Sequence, residues 1–245
     1  PLSLTYHAVI ECLGFRPTPE LPDILPPGTT FSKGGGRYPD LDPFYRTPAD
    51  PSVGVAGVLS HGRDYRRASG GFVHGFRYSA RTLLRAWTAE DAAPGGGAWP
   101  ARRVIPFANL TAAVLERLDT SSGIYQMFGV LCDVIRFDCA TRTAILDEEW
   151  PAGEPVAEPG FNVCLDYGRR SPSTAPFGPN RSPGTPSQPH LSLFLHPILT
   201  DNRQTSLLHL SENFNSRWHY PDAVRSFATG RVFDACGAEG AAVVG

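Results

Sequence analysis

The sequence predicts an α/β fold in its first part and an α+β fold with antiparallel strands in its second part. Between residues 53 and 87 a short apolar strand leads through a polar turn into an amphipathic helix, as in an α/β unit. From Val134 onward, apolar residues alternate with a period of two, which is typical of strands. A Pro- and Gly-rich stretch at 92–97 separates the parts. We therefore predict one domain over residues 1–91 and a second over 98–245.

The first part is predicted to contain two strands and one helix. Alternation predicts a strand over 4–13, and an apolar run predicts another over Val53–Leu59. Gly34–Gly36 lacks G-x-G-x-x-G spacing and is not followed by a helix, so we predict a turn there, not a phosphate cradle. Gly70-Gly71 opens the helix. Its apolar positions near helical spacing are Phe72, Phe76, Ala80, Leu83 and Trp87.

The second part is predicted to alternate helices and strands. The helices are expected at 106–118, 123–131 and 222–229, and the strands at 161–167 and 191–199, with a hairpin spanning 134–146. Residues 171–189 are dense in Pro, Ser and Gly and predict a loop. Three arginines recur every four residues along the first-part helix and predict an exposed stripe: Arg77, Arg81 and Arg85.

Composition narrows the classes of partner. The chain has 22 basic and 24 acidic residues, which argues against nucleic acid or a charged membrane surface as partner. No apolar run approaches the ~20 residues that a transmembrane helix needs. The chain starts at Pro1 with what looks like the middle of a fold, so we interpret it as a fragment.

The five cysteines show neither a C-x-x-C redox pair nor metal-ligand spacing. Most of them lie in apolar strings, which predicts small buried side chains and no metal site. A disulfide such as Cys139–Cys164 is the alternative in an oxidising compartment. The five positions are Cys12, Cys132, Cys139, Cys164 and Cys236.

The turn before the first-part helix holds the candidate functional residues. A carboxylate at Asp64 can accept hydrogen bonds from sugar hydroxyls, and the start of a helix favours a nearby anion. Gly70, Gly71 and Phe72 would begin that helix and face the ligand. The alternative is that Asp64 is only a turn or capping residue.

Two histidines flank this turn, at His61 and His74. Histidine titrates near neutral pH, so both are candidates for an acid–base group. A structural, hydrogen-bonded histidine is the alternative for each. Arg63 is a candidate for binding a diphosphate or phosphate, with a solvated basic turn as its alternative.

A resemblance strengthens the cofactor interpretation. Val9–Pro17 followed by Gly54–Tyr65 resembles the second half of the FAD domain of two-dinucleotide-binding flavoproteins. The string S-H-G-R-D-Y-R-R-A-S-G-G-F-V-H-G-F-R-Y over residues 60–78 resembles the FAD-dependent oxidoreductase domain-containing protein 2 family, endoplasmic-reticulum flavoproteins associated with degradation of misfolded glycoproteins. The likeness continues through 99–101, 122–135, 166–169 and 194–197.

The resemblance implies that residues 1–91 form the C-terminal part of an FAD-binding domain, in which Asp64 contacts the ribityl chain of FAD. It implies non-covalent FAD, a reduced nicotinamide such as NADPH as hydride donor, and monooxygenase-like or disulfide-reductase-like chemistry. It also implies the endoplasmic-reticulum lumen, with chaperones or misfolded glycoproteins as partners. A glycosylation sequon at Asn109-Leu110-Thr111 agrees with that compartment.

Two features depart from such a family. Arg63 stands where these flavoproteins usually have Gly before the Asp, and the chain has no G-x-G-x-x-G fingerprint for the ADP half of FAD. We therefore expect the chain alone to bind FAD poorly and to be inactive. The alternative function is a non-catalytic protein-interaction module on a vestigial flavoprotein scaffold.

Overall fold

A six-stranded antiparallel sheet forms the centre of the structure. The computed structural model describes residues 8, 16–91, 99–156, 159–167, 182–185, 187–201, 207–211 and 220–245. Within them the sheet has the strand order β3-β5-β4-β6-β7-β8, and a separate two-stranded sheet pairs β1 with β2. The prediction of mixed helices and antiparallel strands is confirmed.

The elements follow one another in this order. The helices are α1 (Leu21–Ile24), α2 (Val73–Asp91), α3 (Leu110–Thr120), α4 (Ser122–Gln126) and α5 (Tyr220–Ala241). The first strands are β1 (Arg46–Thr47), β2 (Asp50–Gly54), β3 (Arg102–Pro106) and β4 (Leu131–Asp138). The remaining strands are β5 (Thr143–Pro151), β6 (Gly160–Tyr167), β7 (Leu195–Asp201) and β8 (Leu207–His209).

One face of the sheet carries the main apolar core. Alternate residues of β4, β6 and β7, such as Phe137, Phe161 and Leu199, point to this face because successive side chains of a strand point to opposite sides. Helices α3 and α5 cover it with Val114 and Val232, among others. The predicted hairpin at β4–β5 and the predicted strand β6 are confirmed.

Helix α2 joins the first part to the sheet. Tyr78 packs in a second apolar cluster with Ile124 and Leu165. From the next turn, Arg81 and Arg85 both bind the carboxylate of Glu149 on β5, and the Arg85 Nη1–Oε2 distance is 2.8 Å. The predicted exposed stripe is therefore wrong at Arg85, whose side chain is largely buried.

Several predicted elements have other bounds. The strand predicted over Val53–Leu59 ends at Gly54, and residues Gly57–Gly62 form a 3-10 helix instead. Phe72, predicted to lie on the buried face of α2, is exposed because the buried face is set by Tyr78, Thr82 and Leu83. The helix predicted over 222–229 spans 220–241, with a break in its backbone at Gly237.

The prediction that the cysteines are small buried apolar side chains is wrong for four of the five. Four of them form the disulfides Cys132–Cys164 and Cys139–Cys236, so they are not separate apolar side chains. Cys139 does not pair with Cys164 because the register of β4 against β6 places Cys132 opposite Cys164. Cys12 lies outside the described residues, as do the strand predicted over 4–13 (apart from residue 8) and residues 171–181 of the predicted loop.

The predicted domain boundary at residues 92–97 also lies outside the described residues, and the division into 1–91 and 98–245 stays a prediction. Described residues on the two sides contact each other. Phe44 packs against Trp99 and Trp150, and Arg85 binds Glu149.

Candidate functional site

Asp64 lies in the turn between the 3-10 helix and α2, with none of its surface exposed. Its Oδ2 accepts a hydrogen bond from the Gly70 backbone N–H at 2.7 Å, and its Oδ1 lies 3.0 Å from Nδ1 of His61. Buried carboxylates are tolerated when donors of this kind surround them. In the described structure Asp64 thus fixes the turn that leads into α2.

Gly70 and Gly71 allow the side chains of Asp64 and His61 to lie close to the backbone. A Cβ at Gly70 would collide with the Asp64 carboxylate, and one at Gly71 would lie 3.1 Å from Cδ2 of His61. Glycine is therefore required at 70 by contact with the carboxylate. The sequence pattern identified both positions but assigned the space beside them to a ligand.

The start of α2 is open. Phe72 is 62% exposed, and its ring stacks on that of His74 with 5.4 Å between ring centroids and 4° between planes. Arg63 is partly exposed at the other end of the turn. The structure therefore brings Asp64, His61 and Gly70 together in the interior, and it leaves Phe72 and His74 as an exposed aromatic pair.

Tyr45 lies in the same interior and was not identified from the sequence. Its hydroxyl is fully buried and makes no hydrogen bond with any described residue. Burial raises the pKa of the Tyr45 phenol above its usual range, the charge of Asp64 raises it further, and Arg63 partly opposes this. An unpaired buried hydroxyl next to Asp64 is a polar position that a ligand or water can satisfy.

These residues fit a flavin in part. A flat ring can stack on the Phe72–His74 pair, and the N-terminal end of α2 favours negative charge on that ring. Both carboxylate oxygens of Asp64 are engaged by protein groups, so its direct contact with the ribityl chain stays a prediction. The roles of Arg63, Gly71, His61 and His74 toward a cofactor stay predictions as well.

A second candidate lies on the face of the sheet opposite α3 and α5. It is a cavity of about 490 Å³. Its lining comes from alternate positions of neighbouring strands and from the loops after them: Gly129, Cys132, Val134, Trp150, Pro151, Ala152, Gly153, Glu154, Asn162, Cys164, Asp166, Tyr167, Ile198, Thr200 and His209. The sequence analysis missed it because no motif marks it. Only the alternation of Asn162, Cys164 and Asp166 against the core positions pointed to an uncovered face.

A third feature is the triple glycine. The turn predicted at Gly34–Gly36 is confirmed: Arg37 N–H donates to Lys33 O, and all three glycines have positive φ. With Arg16 and Arg37 this turn lines a cavity of about 440 Å³. Both arginines are largely exposed.

The described part of the chain contains no group of three His, Cys, Asp or Glu side chains placed to hold a metal ion. Of the helices that the structure describes, none is long and apolar enough to span a bilayer.

Comparison with known proteins supplies relatives for the sequence. No protein-family model and no solved structure matches the chain. The zebrafish (Danio rerio) protein named FAD-dependent oxidoreductase domain-containing protein 2 is 31% identical to the chain over an alignment of 248 positions. The alignment covers 88% of the chain and 35% of the relative. The mouse (Mus musculus) protein of that name is 30% identical over 254 residues, covering 90% and 37%.

The chain thus spans about a third of the length of these curated relatives. The resemblance inferred from residues 60–78 is confirmed, and the chain is a homologue of FAD-dependent oxidoreductase domain-containing protein 2.

Proposed function

We propose that the chain forms one wall of the FAD site of an FAD-dependent oxidoreductase, with the start of α2 facing the flavin. The observation that carries the proposal is the exposed Phe72–His74 pair at the N-terminus of a 19-residue helix, held in place by the buried Asp64 turn. The names of the relatives supply the cofactor. Residues 1–91 would complete an FAD-binding domain whose dinucleotide fingerprint these 245 residues lack.

Each residue of the turn has a role in this proposal. FAD, when bound, supplies the redox chemistry. The backbone N–H groups at the start of α2 stabilise negative charge on the reduced ring. Gly71 permits close approach of the ring, and Arg63 binds phosphate. Asp64 is a positioning residue, because its hydrogen bond to Gly70 sets the direction in which α2 begins.

Other parts of the proposal rest on the resemblance alone. These are NADPH as hydride donor, the endoplasmic-reticulum lumen as location, and a role in degradation of misfolded glycoproteins with chaperones or clients as partners. His61 and His74 are the histidines available for proton transfer near the flavin. His74 is the better placed because it is exposed, whereas His61 is held by Asp64.

The test compares the 245-residue chain with the same chain extended by any coding sequence that precedes it. We expect the longer protein to purify with the visible absorption band of FAD, and the chain alone to lack it. In the longer protein, Phe72→Ala should weaken FAD binding about tenfold, because one stacking face worth roughly 1–1.5 kcal/mol is lost. Phe233→Ala removes a similarly exposed ring on α5 and is the matched control. A longer protein that stays colourless after addition of FAD would contradict the proposal.

A second candidate function is a protein-interaction module without flavin. Both oxygens of Asp64 are engaged within the protein, which is what a turn that has lost its ligand would show. This function predicts that the longer protein binds no FAD and that its partners bind equally to wild type and to Phe72→Ala.

A further inference from the structure

The glycosylation sequon Asn109-Leu110-Thr111 lies where strand β3 passes into helix α3. Such a signal needs an asparagine whose amide nitrogen receives the glycan and a hydroxyl two residues later, with no proline between them. Signals this short also occur by chance. A structural role for the two side chains would favour chance, whereas side chains that the fold leaves unused favour modification.

Asn109 occupies the N-cap of α3. An asparagine side chain at this position usually accepts a hydrogen bond from the second or third N–H of the helix, but here it makes no such bond. The second N–H, that of Thr111, donates instead to the backbone carbonyl of Gly245 at 3.2 Å. The Asn109 side chain is exposed and makes no hydrogen bond with any described residue. The described part of the fold therefore does not use its amide nitrogen.

Thr111 is only 3% exposed, and its buried hydroxyl has no hydrogen-bond partner among the described residues. An interior hydroxyl without a partner costs free energy relative to an apolar group of the same shape. Valine has that shape, so the packing of α3 alone would favour valine at this position. The hydroxyl of Thr111 is therefore not explained by the folded structure, and the sequon supplies a use for it.

Two disulfides support the compartment that glycosylation requires. Cys132–Cys164 joins neighbouring strands, and Cys139–Cys236 joins the β4–β5 hairpin to α5. Disulfides form and persist in the endoplasmic reticulum and outside the cell, and they are rare in the cytosol. N-linked glycans are added along the same secretory route, so both modifications are expected on one chain.

We propose that Asn109 carries an N-linked glycan in the native protein. The donor is an oligosaccharide joined through a diphosphate to a polyisoprenoid lipid. Nδ2 of Asn109 forms a bond to the anomeric carbon of the first sugar while the bond from that carbon to the diphosphate oxygen breaks. The lipid diphosphate leaves with the bonding electron pair, and Nδ2 loses one proton to a base of the transferase. The proposal shares only the secretory location with the proposed function and does not depend on flavin.

Burial of the sequon hydroxyl determines when the glycan is added. The transferase needs the hydroxyl of Thr111, which becomes inaccessible once α3 packs onto the sheet. Asn109 stays exposed, so a glycan attached earlier extends into solvent. We therefore expect an oligosaccharyltransferase supplied with lipid-linked oligosaccharide to modify the isolated peptide 104–117 but not the folded chain. Equal modification of both would overturn this order of events.

The first test examines the native protein, isolated from the cells that make it. Trypsin cleaves after Arg103 and Arg117 and releases residues 104–117, in which Asn109 is the only asparagine and glutamine does not occur. Peptide-N-glycosidase in water enriched in heavy oxygen converts a glycosylated asparagine to aspartate that carries one heavy-oxygen atom. We expect mass spectrometry to find this label at residue 109. Recovery of the peptide with unmodified Asn109 would overturn the proposal.

The second test uses variants secreted from eukaryotic cells behind an added signal peptide, with the same label as the readout. Thr111→Val keeps the asparagine and the packing volume but removes the hydroxyl, so the label should be lost, whereas Thr111→Ser should retain it. Asn109→Gln lacks the acceptor and is the negative control. Asn180-Arg181-Ser182 also fits the sequon, but it lies in another tryptic peptide and does not affect the reading. Label in Thr111→Val would overturn the proposal.

The stability of the unglycosylated chain provides a readout that separates the sequon from a structural role. Thr111→Val and Asn109→Ala should both leave the urea midpoint of unfolding unchanged or raise it, because neither removes a hydrogen bond to a described residue. A lower midpoint in either variant would overturn the argument that the fold leaves the sequon side chains unused.

Discussion

The Asp64 turn and the sheet cavity use polar groups in opposite ways. At the turn, the carboxylate, the histidine beside it and the glycine N–H satisfy one another inside the protein. In the cavity, the Cys132–Cys164 disulfide lines open space, and the Nε1–H of the neighbouring Trp150 has no hydrogen-bond partner among the described residues. The turn carries nearly all the sequence motifs and the cavity carries none. Motifs therefore locate residues whose packing is demanding, whereas a site for a ligand also requires groups that the protein leaves accessible.

The largest expected effect comes from breaking the link between the two regions at Glu149. Burial lowers the pKa of Arg85, and the charge of Glu149 opposes this. Glu149→Ala leaves that arginine with no carboxylate in contact and should lower the free energy of unfolding by about 3 kcal/mol, the low end for a buried pair since Arg81 is partly exposed. Urea denaturation measures the change.

Glu116→Ala is the matched control for that experiment. Glu116 pairs with Arg103 at 3.2 Å on the surface, and its loss should cost under about 1 kcal/mol. Equal effects of the two substitutions would show that Glu149 does not connect α2 to the sheet.

An intermediate effect is expected at Gly70, where the turn is most tightly packed. Gly70→Ala places a methyl group against the Asp64 carboxylate and should destabilise the protein by about 2 kcal/mol. Gly230→Ala is the control, because the added methyl group on α5 meets nothing within 4 Å and should stabilise by up to about 1 kcal/mol. Thermal unfolding of both variants measures the two changes in stability. A neutral Gly70→Ala would mean that the turn is looser than its hydrogen bonds indicate.

The smallest effect concerns Tyr45, whose buried hydroxyl lies beside the turn and has no hydrogen-bond partner among the described residues. Tyr45→Phe removes a buried hydroxyl without a described partner and should stabilise by about 1 kcal/mol. The raised pKa of Tyr45 gives a pH signature. Unfolded tyrosine ionises above about pH 10 while the folded side chain does not, so wild type should lose about 1.4 kcal/mol per pH unit there relative to Tyr45→Phe.

That difference in slope is read from urea titrations at a series of alkaline pH values. Destabilisation by Tyr45→Phe at neutral pH would show that the hydroxyl has a hydrogen-bond partner, as the other polar groups at the turn do.

Local patterns predicted much of the fold. The helix from residue 73, the β4–β5 hairpin and strand β6 follow from periodicity and turn residues. The 3-10 helix at Gly57–Gly62 was missed because a short apolar run is compatible with either strand or helix. The burial of Arg85 was missed because its partner, Glu149, lies 64 residues away.

The candidate sites also differ in whether local sequence or distant residues determine them. Asp64 and Gly70 were identified because a turn and a helix start are local signals. The Cys132–Cys164 disulfide and the cavity depend on strand register, which brings together residues from five strands: Trp150, Cys132, Cys164, Ile198 and His209. Single-sequence patterns do not contain that register, so neither the pairing of Cys132 with Cys164 nor the cavity was predictable.

The attachment of α2 at Arg81 and Arg85 limits how far a disturbance at its first turn can travel. The helix is anchored to β5 on both sides of its midpoint, while Phe72 and His74 are exposed to solvent. We therefore expect a molecule that docks on that aromatic pair to alter the opening turn of the helix without shifting the strands of the sheet.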